Sequence, residues 1–456
     1  MTTGGPRVPS MDPNPIQREM EAAIPHHAHC KQHDRECLPG TVDSRLPLDG
    51  ILIADFSRAL AGPYATMLLA DLGAEVIKVE GPGGDDTRSW MPPVRPDGVS
   101  TYYTAINRNK RSIVLDFDDP DDLALAQALT ARADVVIENF KPGGLGRFGL
   151  DYTAVRQHNE SVIYCSISGF GTAGGAALPG YDLIAQAMSG LMSLTGDAEG
   201  TPYRTGSSVF DVMTGLHSTI GILAALHHRQ ATGEGQCIET NLMSSAMSGM
   251  VNQTSAYVAG GVTPHRMGNA HPSVYPYEPL PTADKDLVIA AANNAQFRKV
   301  ADVLGIPEVA DDPRFATNAN RSANREQLRP LLVARLKTRP AQHWFERLNA
   351  VGVPNGPINT IAQGVEYARE LGLDPVVQAG PQGHTVPVVR NPITFSAITP
   401  RYELPPPALG EHSEEIRAWL STASITQEGS MRPEQAQTDR VEPDSSDAEP
   451  GTESGP

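Results

Sequence analysis

The sequence predicts an α/β protein of two domains, in which a large Rossmann-like domain carries a parallel sheet and a smaller α+β domain is rich in helices. Three observations support this fold class. The 456 residues exceed the usual size of a single hydrophobic core. Short apolar runs alternate with helix-like stretches in the first half of the chain, which is typical of parallel strands joined by helical crossovers. Later in the chain, apolar residues recur mainly at helical spacing.

The large domain is predicted from strand-length apolar runs and from helix-start signals. Pro63 and Pro120 each stand where a helix would begin, and Asp119 can cap the second of these helices. The predicted strands lie at residues 50–55, 74–80, 112–116, 133–138, 162–167 and 236–240. The predicted helices lie at residues 61–72, 120–132 and 212–226.

The smaller domain and the ends of the chain differ in composition. A strand is predicted at residues 286–291, and helices at residues 295–304, 325–336 and 341–350. The predicted divisions are a flexible N-terminal extension at 1–46, the large domain at 47–250 completed by 385–425, an interlobe connection at 251–280, the small helix-rich domain at 281–384 and a disordered acidic tail at 426–456. The extension and the tail lack the apolar periodicity that would offset the entropy of ordering them.

Composition excludes several function classes. The net charge of −17 gives no electrostatic support for nucleic-acid binding. No run approaches the ~20 apolar residues that a membrane span needs, so we expect no membrane insertion. Four scattered cysteines and the absence of a recognisable export signal predict a cytoplasmic protein.

Common cofactor motifs are also missing. The turn after the first strand has one glycine, Gly62, where the dinucleotide fingerprint needs three, and there is no phosphate-binding loop or serine-hydrolase elbow. A cluster of possible zinc ligands falls within the N-terminal extension, without the spacing of a structural zinc site, so we expect no metal. The members of this cluster are His26, His27, His29, Cys30, His33 and Cys37.

Asp211 is the residue of most chemical interest, and two interpretations of it are compatible. An aspartate directly before an apolar helical stretch is typical of a helix cap. The same helix N-terminus would favour the ionised carboxylate and keep it available as a nucleophile at neutral pH. Composition and spacing do not separate the two roles.

Several segments, taken together and in order, resemble the class III coenzyme A transferases of the CaiB/BaiF type. The resemblance covers about residues 47–417. The segments that carry it lie at residues 48–50, 55–63, 70–80, 84–88, 107–112, 138–143, 180–182, 189–192, 207–215, 352–357 and 409–412. This resemblance implies an enzyme that moves CoA from an acyl-CoA to a carboxylic acid, with CoA as a substrate and no permanently bound cofactor.

The family's nucleophilic aspartate falls on Asp211 in this alignment. The implied chemistry is covalent: the carboxylate forms a mixed anhydride with the donor acyl group and then an aspartyl-CoA thioester. The acceptor acid reverses these steps. Such a route replaces direct attack by a weak nucleophile with oriented intramolecular steps.

The family also suggests the CoA contacts and the assembly. The residues that the resemblance places against CoA are Leu60, Ala61, Leu115, Asp116, Asn139, Phe140, Lys141, Arg147, Tyr181 and Asp182. Arg58, Arg88 and Arg111 are further phosphate or carboxylate partners to consider, although surface solvation explains each of them equally well. The family forms an interlocked, ring-like homodimer, which we therefore expect here.

Two other activities within the family are less consistent with the sequence. The racemase branch uses a His-Asp pair near Tyr181 and Asp182, and tyrosine is a poorer general base than histidine at neutral pH. The formyl-CoA:oxalate branch has a glutamine where Leu60 stands and a glycine-rich loop matched here only by Gly260 and Gly261. Residues 266–272, 276–277 and 292–297 are most similar to the branch typified by succinate-hydroxymethylglutarate CoA-transferase, which implies succinyl-CoA as donor and a dicarboxylic acceptor. A non-catalytic CoA-binding scaffold is the alternative from another class.

Overall fold

The computed structural model describes residues 46–422. The predicted N-terminal extension, with its His/Cys cluster, and the predicted acidic tail therefore lie outside the described residues, apart from residue 46. The strands are β1 Leu52–Asp55, β2 Glu75–Glu80, β3 Lys110–Val114, β4 Val135–Glu138, β5 Ile163–Ser168, β6 Gln236–Asn241, β7 Tyr277–Pro281, β8 Asp286–Ala290, β9 Asn355–Pro357, β10 Val376–Ala379 and β11 Val386–Val389.

The helices follow the same numbering along the chain. They are α1 Ala61–Asp71, α2 Thr101–Ile106, α3 Pro120–Arg132, α4 Tyr152–His158, α5 Asp182–Met188, α6 Leu191–Leu194, α7 Val209–Thr232, α8 Leu242–Gly249, α9 Val251–Val258, α10 Asn294–Leu304, α11 Glu308–Asp311, α12 Asn318–Ala323, α13 Arg325–Leu336, α14 Ala341–Ala350, α15 Ile361–Glu370 and α16 Ser413–Thr422. Short 3-10 helices lie at Asp86–Arg88 and Gly146–Phe148.

The main sheet is parallel throughout and has the strand order β3-β2-β1-β4-β5-β6. This order places β1 and β4 side by side at the centre, where the direction of chain progression reverses. Apolar cores cover both faces of the sheet, and the central strands are buried, as their largely apolar sequences require. The predicted mixed α/β fold with a parallel sheet is thus confirmed.

Local sequence signals account well for the crossover helices. Helix α3 begins at Pro120, and the Asp119 side chain accepts hydrogen bonds from the N–H groups of Asp121 and Asp122. This agrees with the predicted cap and first turn. The longest helix, α7, begins earlier and ends later than predicted, because the apolar pattern used for the prediction covers only its central part.

A second core surrounds an antiparallel sheet of β7, β8 and β9. Helices α10, α13 and α14 supply most of its apolar side chains. Residues 261–276 carry neither helix nor strand and connect α9 to this sheet. The predicted domain boundaries stay a prediction.

The last described helix, α16, packs on the main sheet region rather than on the antiparallel sheet. Its Ile416 and Leu420 are fully buried in the core that contains β1 and β3 residues. Arg417 reinforces this contact by donating a hydrogen bond to the backbone oxygen of Val114 at 2.8 Å.

One described helix, α7, is by length and composition apolar enough to cross a membrane. The expectation that no segment approaches such a length is therefore wrong for its 24 residues. The helix packs along α1 and against β5 and β6, and its Thr214 and Ser218 are fully buried. These contacts are those of a core helix in a folded domain.

Candidate active site

A large cavity opens at the carboxyl ends of the central strands. Its volume is about 870 Å³, which falls in the range of cofactor-sized sites. Its wall includes the segments that follow β1 and β4, at residues 58–61 and 139–142, and the end of β5 with the turn after it, at residues 167–171. In sheets of this topology, ligands bind where the strand order reverses, so the cavity lies where the fold predicts a binding site.

The loop between β1 and α1 is held in a strained conformation. Ala59 has a φ of 64°, which is uncommon for a residue with a side chain. The neighbouring Arg58 uses both backbone groups: its N–H donates to Asn139 Oδ1 at 2.8 Å, and its carbonyl accepts from Asn139 Nδ2 at 2.7 Å. The side chain that follows β4 therefore fixes the loop that follows β1.

Asp211 lies on the same cavity, in the first turn of α7. The helix begins at Val209, and Ser208 occupies the N-cap position without a capping hydrogen bond from its side chain, so the prediction that Asp211 itself is the cap is wrong. The apolar run begins after Asp211, but the helical backbone begins two residues before it. Asp211 is partly buried, and its carboxylate stands among the residues that line the cavity.

The buried carboxylate of Asp182, on α5, takes the capping role instead. Its Oδ1 accepts hydrogen bonds from the N–H groups of Phe210 at 2.8 Å and Asp211 at 3.2 Å. Gln186, one turn further along α5 and fully buried, donates to Asp182 Oδ2 and accepts from the Thr205 N–H at 2.9 Å. Asp182 and Gln186 thus fasten the start of the helix that carries Asp211.

Burial, and secondarily the nearby charge of Asp182, raises the pKa of Asp211 to about 7. The sequence suggested that the helix N-terminus keeps this carboxylate ionised at neutral pH, whereas a pKa of about 7 leaves it only partly ionised there. Burial of the carboxyl group is the larger cause, and Asp182, which accepts from the Phe210 and Asp211 N–H groups, adds a negative charge beside Asp211. Near pH 7, Asp211 can exchange between its protonated and nucleophilic forms.

The structure brings most of the predicted CoA contacts together with Asp211. Those that line the cavity are Leu60, Ala61, Asn139, Phe140, Lys141, Tyr181 and Asp182. Leu115 is buried in the core beneath the sheet, whereas Asp116 and Arg147 are exposed outside the cavity. The CoA-binding role of all ten residues stays a prediction.

The three arginines considered as additional partners have different surroundings. Arg58 lines the cavity, with its guanidinium 5.0 Å from the centre of the Phe140 ring. Arg88 pairs with Glu80 at 2.7 Å, and Arg111 forms surface ion pairs. Arg58 is therefore the one of the three that is placed to meet a ligand in the cavity.

The sequence did not single out two aromatic residues that line the cavity. Trp90 and Tyr102 pack edge to face, with ring centroids 5.0 Å apart. Trp90 lies in the segment between β2 and α2, and Tyr102 lies in the first turn of α2. No sequence motif marks either residue. The available signal was their place after the carboxyl end of a parallel strand, where such sheets position binding residues. Within residues 46–422, no group of three or more potential ligands could hold a metal ion.

Comparisons with known proteins place the chain among CoA-transferases. Residues 48–413 match the model of CoA-transferase family III. The chain is 44% identical over 395 residues to the succinate–glutarate CoA-transferase of Agrobacterium fabrum, covering 83% of this chain and 97% of that protein. It is 39% identical over 373 residues to the human succinyl-CoA:glutarate CoA-transferase, covering 81% of this chain and 85% of that protein.

Comparison with solved structures indicates the same family. A crystal structure of a CaiB/BaiF family protein from Brucella suis superimposes with a TM-score of 0.74 at 44% identity, covering 82% of this chain and all of that one. The family model spans both the parallel sheet and the antiparallel sheet, together with Asp211 and the cavity around it. The chain therefore belongs to CoA-transferase family III and is a CoA-transferase.

Proposed function

We propose that the protein transfers CoA from succinyl-CoA to a dicarboxylic acid, with Asp211 as the covalent nucleophile. The observation that carries the proposal is the position of the Asp211 carboxylate on a cavity of about 870 Å³ that seven of the ten predicted CoA contacts also line. A pKa near 7 makes the ionised, nucleophilic form accessible at neutral pH.

The proposed reaction proceeds by four displacements. The Asp211 carboxylate attacks the thioester carbonyl of the donor, the C–S bond breaks, and an acyl-aspartyl anhydride and CoA thiolate form. The thiolate attacks the aspartyl carbonyl, which releases the donor acid and leaves an aspartyl-CoA thioester. The acceptor carboxylate then attacks the aspartyl carbonyl of this thioester and displaces CoA thiolate, which gives a second aspartyl anhydride. The thiolate attacks the acceptor acyl carbonyl of this anhydride, and the Asp211 carboxylate leaves. No net proton transfer is required.

The identity of the acids is inferred from relatives and from the charges in the cavity. The curated relatives from Agrobacterium fabrum and human are named for succinate or succinyl-CoA and glutarate. Arg58 and Lys141 supply positive charge on the cavity wall. Guanidinium and ammonium groups can pair with CoA phosphates or with the second carboxylate of a dicarboxylic acid.

An α-methylacyl-CoA racemase activity is the second candidate, but the cavity offers it little support. A racemase needs a base beside the α-carbon, and none of the described residues that line the cavity is a histidine. Tyr181 stands at the racemase histidine's position, and a tyrosine side chain is a poorer general base than an imidazole at neutral pH.

A substrate screen tests the proposed function. The enzyme is incubated with succinyl-CoA and a panel of monocarboxylic, dicarboxylic and hydroxy-dicarboxylic acids, and new CoA esters are read by mass spectrometry. We expect turnover with short dicarboxylic acids, including glutarate, and little with oxalate. Absence of turnover with every acid would contradict the proposal. Deuterium uptake at the α-carbon of a branched acyl-CoA, without an acceptor acid, would support the racemase instead.

We also propose a homodimer in a cytoplasmic setting. Large apolar side chains are exposed on the described surface, among them Ile220 on α7 at 63% and Val258 on α9 at 76%, and a second copy would cover them. Both described cysteines, Cys165 and Cys237, are free thiols, which supports a reducing compartment. Light scattering after size-exclusion chromatography should give twice the 48.7 kDa chain mass, and the mass of one chain would contradict the dimer.

A further inference from the structure

A group of buried charged residues lies behind the wall of the cavity. Lys78, Asp85, Lys110 and Asp55 have side chains that are completely shielded from solvent. They form two ion pairs, Lys78 with Asp85 at 2.8 Å and Lys110 with Asp55 at 3.1 Å. Buried ion pairs are weak contributors to stability because desolvation opposes them, so their presence calls for another role.

Lys78 contacts residues that adjoin two separate parts of the cavity wall. Its Nζ donates to the backbone oxygen of Ser57 at 3.0 Å, immediately before the wall residues 58–61. It also donates to Asp85 Oδ2, immediately before Asp86, another wall residue. One ammonium group therefore links the loop after β1 to the segment after β2.

Both contact points of Lys78 are themselves rigidly held. The Ser57 N–H donates to Asp55 Oδ1 at 3.0 Å. The other Asp85 oxygen, Oδ1, accepts from the N–H and the hydroxyl of Thr87 at 2.9 and 2.7 Å. Because both partners of Lys78 are themselves held by hydrogen bonds, the Lys78 ammonium group fixes the distance between the two segments.

The loop held by Lys78 is the strained one. The left-handed backbone of Ala59 costs on the order of 1 kcal/mol and persists only where the surroundings enforce it. The enforcing contacts come from Lys78 on Ser57, from Asn139 on Arg58, and from the close approach of Gly62, where a Cβ would stand 2.2 Å from the Ser57 hydroxyl. Without Lys78, the backbone oxygen of Ser57, which lies two residues before Ala59, would lose the hydrogen bond from the ammonium group.

We propose that Lys78, through Ser57 and Asp85, is a positioning residue that sets the spacing of two walls of the acyl-CoA cavity. This inference rests on the proposed function in one respect, namely that acyl-CoA occupies this cavity. Lys78 touches neither substrate nor Asp211 in this account. It acts by holding the loop that presents Leu60 and Ala61.

The test uses a charge-balanced double variant, Lys78→Met with Asp85→Asn. This pair removes one charge of each sign, fills the lysine volume, and leaves an oxygen at position 85 to accept from Thr87. The matched control is Arg108→Met with Asp71→Asn, which removes another buried ion pair, joined at 2.6 Å. Asp71 ends helix α1 about 15 Å along the helix from the cavity end at Ala61.

The measurements are calorimetric binding of CoA and steady-state kinetics with succinyl-CoA, both well below the melting temperature of each variant. We expect the Lys78/Asp85 variant to weaken CoA binding and to raise the KM for succinyl-CoA by about tenfold or more, since displacement of a positioning group by ~1 Å can have large effects. The Arg108/Asp71 variant should lose thermal stability but keep the wild-type Kd and KM.

Unchanged CoA binding and KM in the folded Lys78/Asp85 variant, or equal changes in the control, would overturn the proposal. If the double variant does not fold, the single Asp85→Asn substitution gives the decision, because it keeps Lys78 on Ser57 and weakens only the link to the second wall. A wild-type KM in that variant would also overturn it. If the wild-type enzyme binds CoA but turns over no acid, the proposed function is contradicted but the role of Lys78 is not. The CoA affinity of the variants would then still test that role.

Discussion

Asp211 is subject to opposing influences at the start of α7. Its place in the first turn favours a carboxylate, because the N-terminus of a helix carries partial positive charge. Burial and the adjacent Asp182 oppose ionisation more strongly, so the pKa rises to about 7. The same environment that raises the pKa also leaves the carboxylate poorly solvated, which makes its ionised form more reactive toward a thioester.

The pH dependence of catalysis should reflect this balance. Protonation removes the nucleophile, so kcat/KM for succinyl-CoA should fall as the pH drops below about 7. In Asp182→Asn, loss of the neighbouring charge lowers the pKa of Asp211, and the acidic limb should move to lower pH. Asp86→Asn is the matched control, since Asp86 lines the cavity without contributing to the pKa shift of Asp211. An acidic limb that stays in place in Asp182→Asn would contradict the assignment.

Asp211→Asn should lower the turnover rate and raise the melting temperature at pH 8. We expect turnover to fall by at least roughly 10³-fold, because an amide cannot act as the covalent nucleophile. The folded-state pKa of Asp211 lies above its unfolded value, so its contribution to stability is present at low pH and is lost as the pH rises through about 7. The variant should therefore melt about 1–3 °C higher than wild type at pH 8, with the difference vanishing near pH 4. A lower melting temperature at pH 8 would show that the carboxylate is stabilising.

At the scale of elements, the packing of α7 on α1 sets the distance between Asp211 and the cavity wall. A Cβ added at Gly215 would stand 2.6 Å from the backbone oxygen of Ala61, one of the wall residues. Gly215 lies one turn after Asp211 on the same helix. The close approach of the two helices therefore fixes both the nucleophile and the residues beside it.

Gly215→Ala should separate these helices, since the contact is with backbone and not with a flexible side chain. We expect a loss of about 1–3 kcal/mol in the free energy of unfolding and a fall in kcat/KM of roughly tenfold or more. Gly364→Ala is the matched control, because this glycine also lies inside a helix, α15, with no atom within 4 Å of its added Cβ. Chemical denaturation measures the free energy of unfolding of both variants, and steady-state kinetics measure their kcat/KM. A fully active Gly215→Ala enzyme would show that the close approach of α7 and α1 does not position Asp211.

The elements also show what the sequence could and could not predict. Helix α3 was predicted from Asp119 and Pro120 because capping is a local interaction between neighbouring residues. The cap of α7 was missed because Asp182, 29 residues before Asp211, supplies it from another helix. Trp90 and Tyr102 were missed for the same reason: their place on the cavity depends on tertiary packing.

At the scale of the whole molecule, the residues that make the site lie within the family match at 48–413. We therefore expect a protein truncated to residues 46–422 to keep the kcat/KM of the full chain within about twofold, since every described cavity residue is retained. Kinetics of the two proteins under identical conditions test this. Loss of turnover with retained CoA binding would instead assign the termini a part in catalysis.

The proposed covalent role of Asp211 is tested most directly by trapping the intermediate. The enzyme is incubated with succinyl-CoA without an acceptor, treated with hydroxylamine, digested and analysed by mass spectrometry, with Asp211→Asn as the control. We expect a hydroxamate on Asp211, formed by attack of hydroxylamine on the aspartyl thioester or anhydride, and none in the variant. An unmodified Asp211 in enzyme that turns over at its full rate would contradict it.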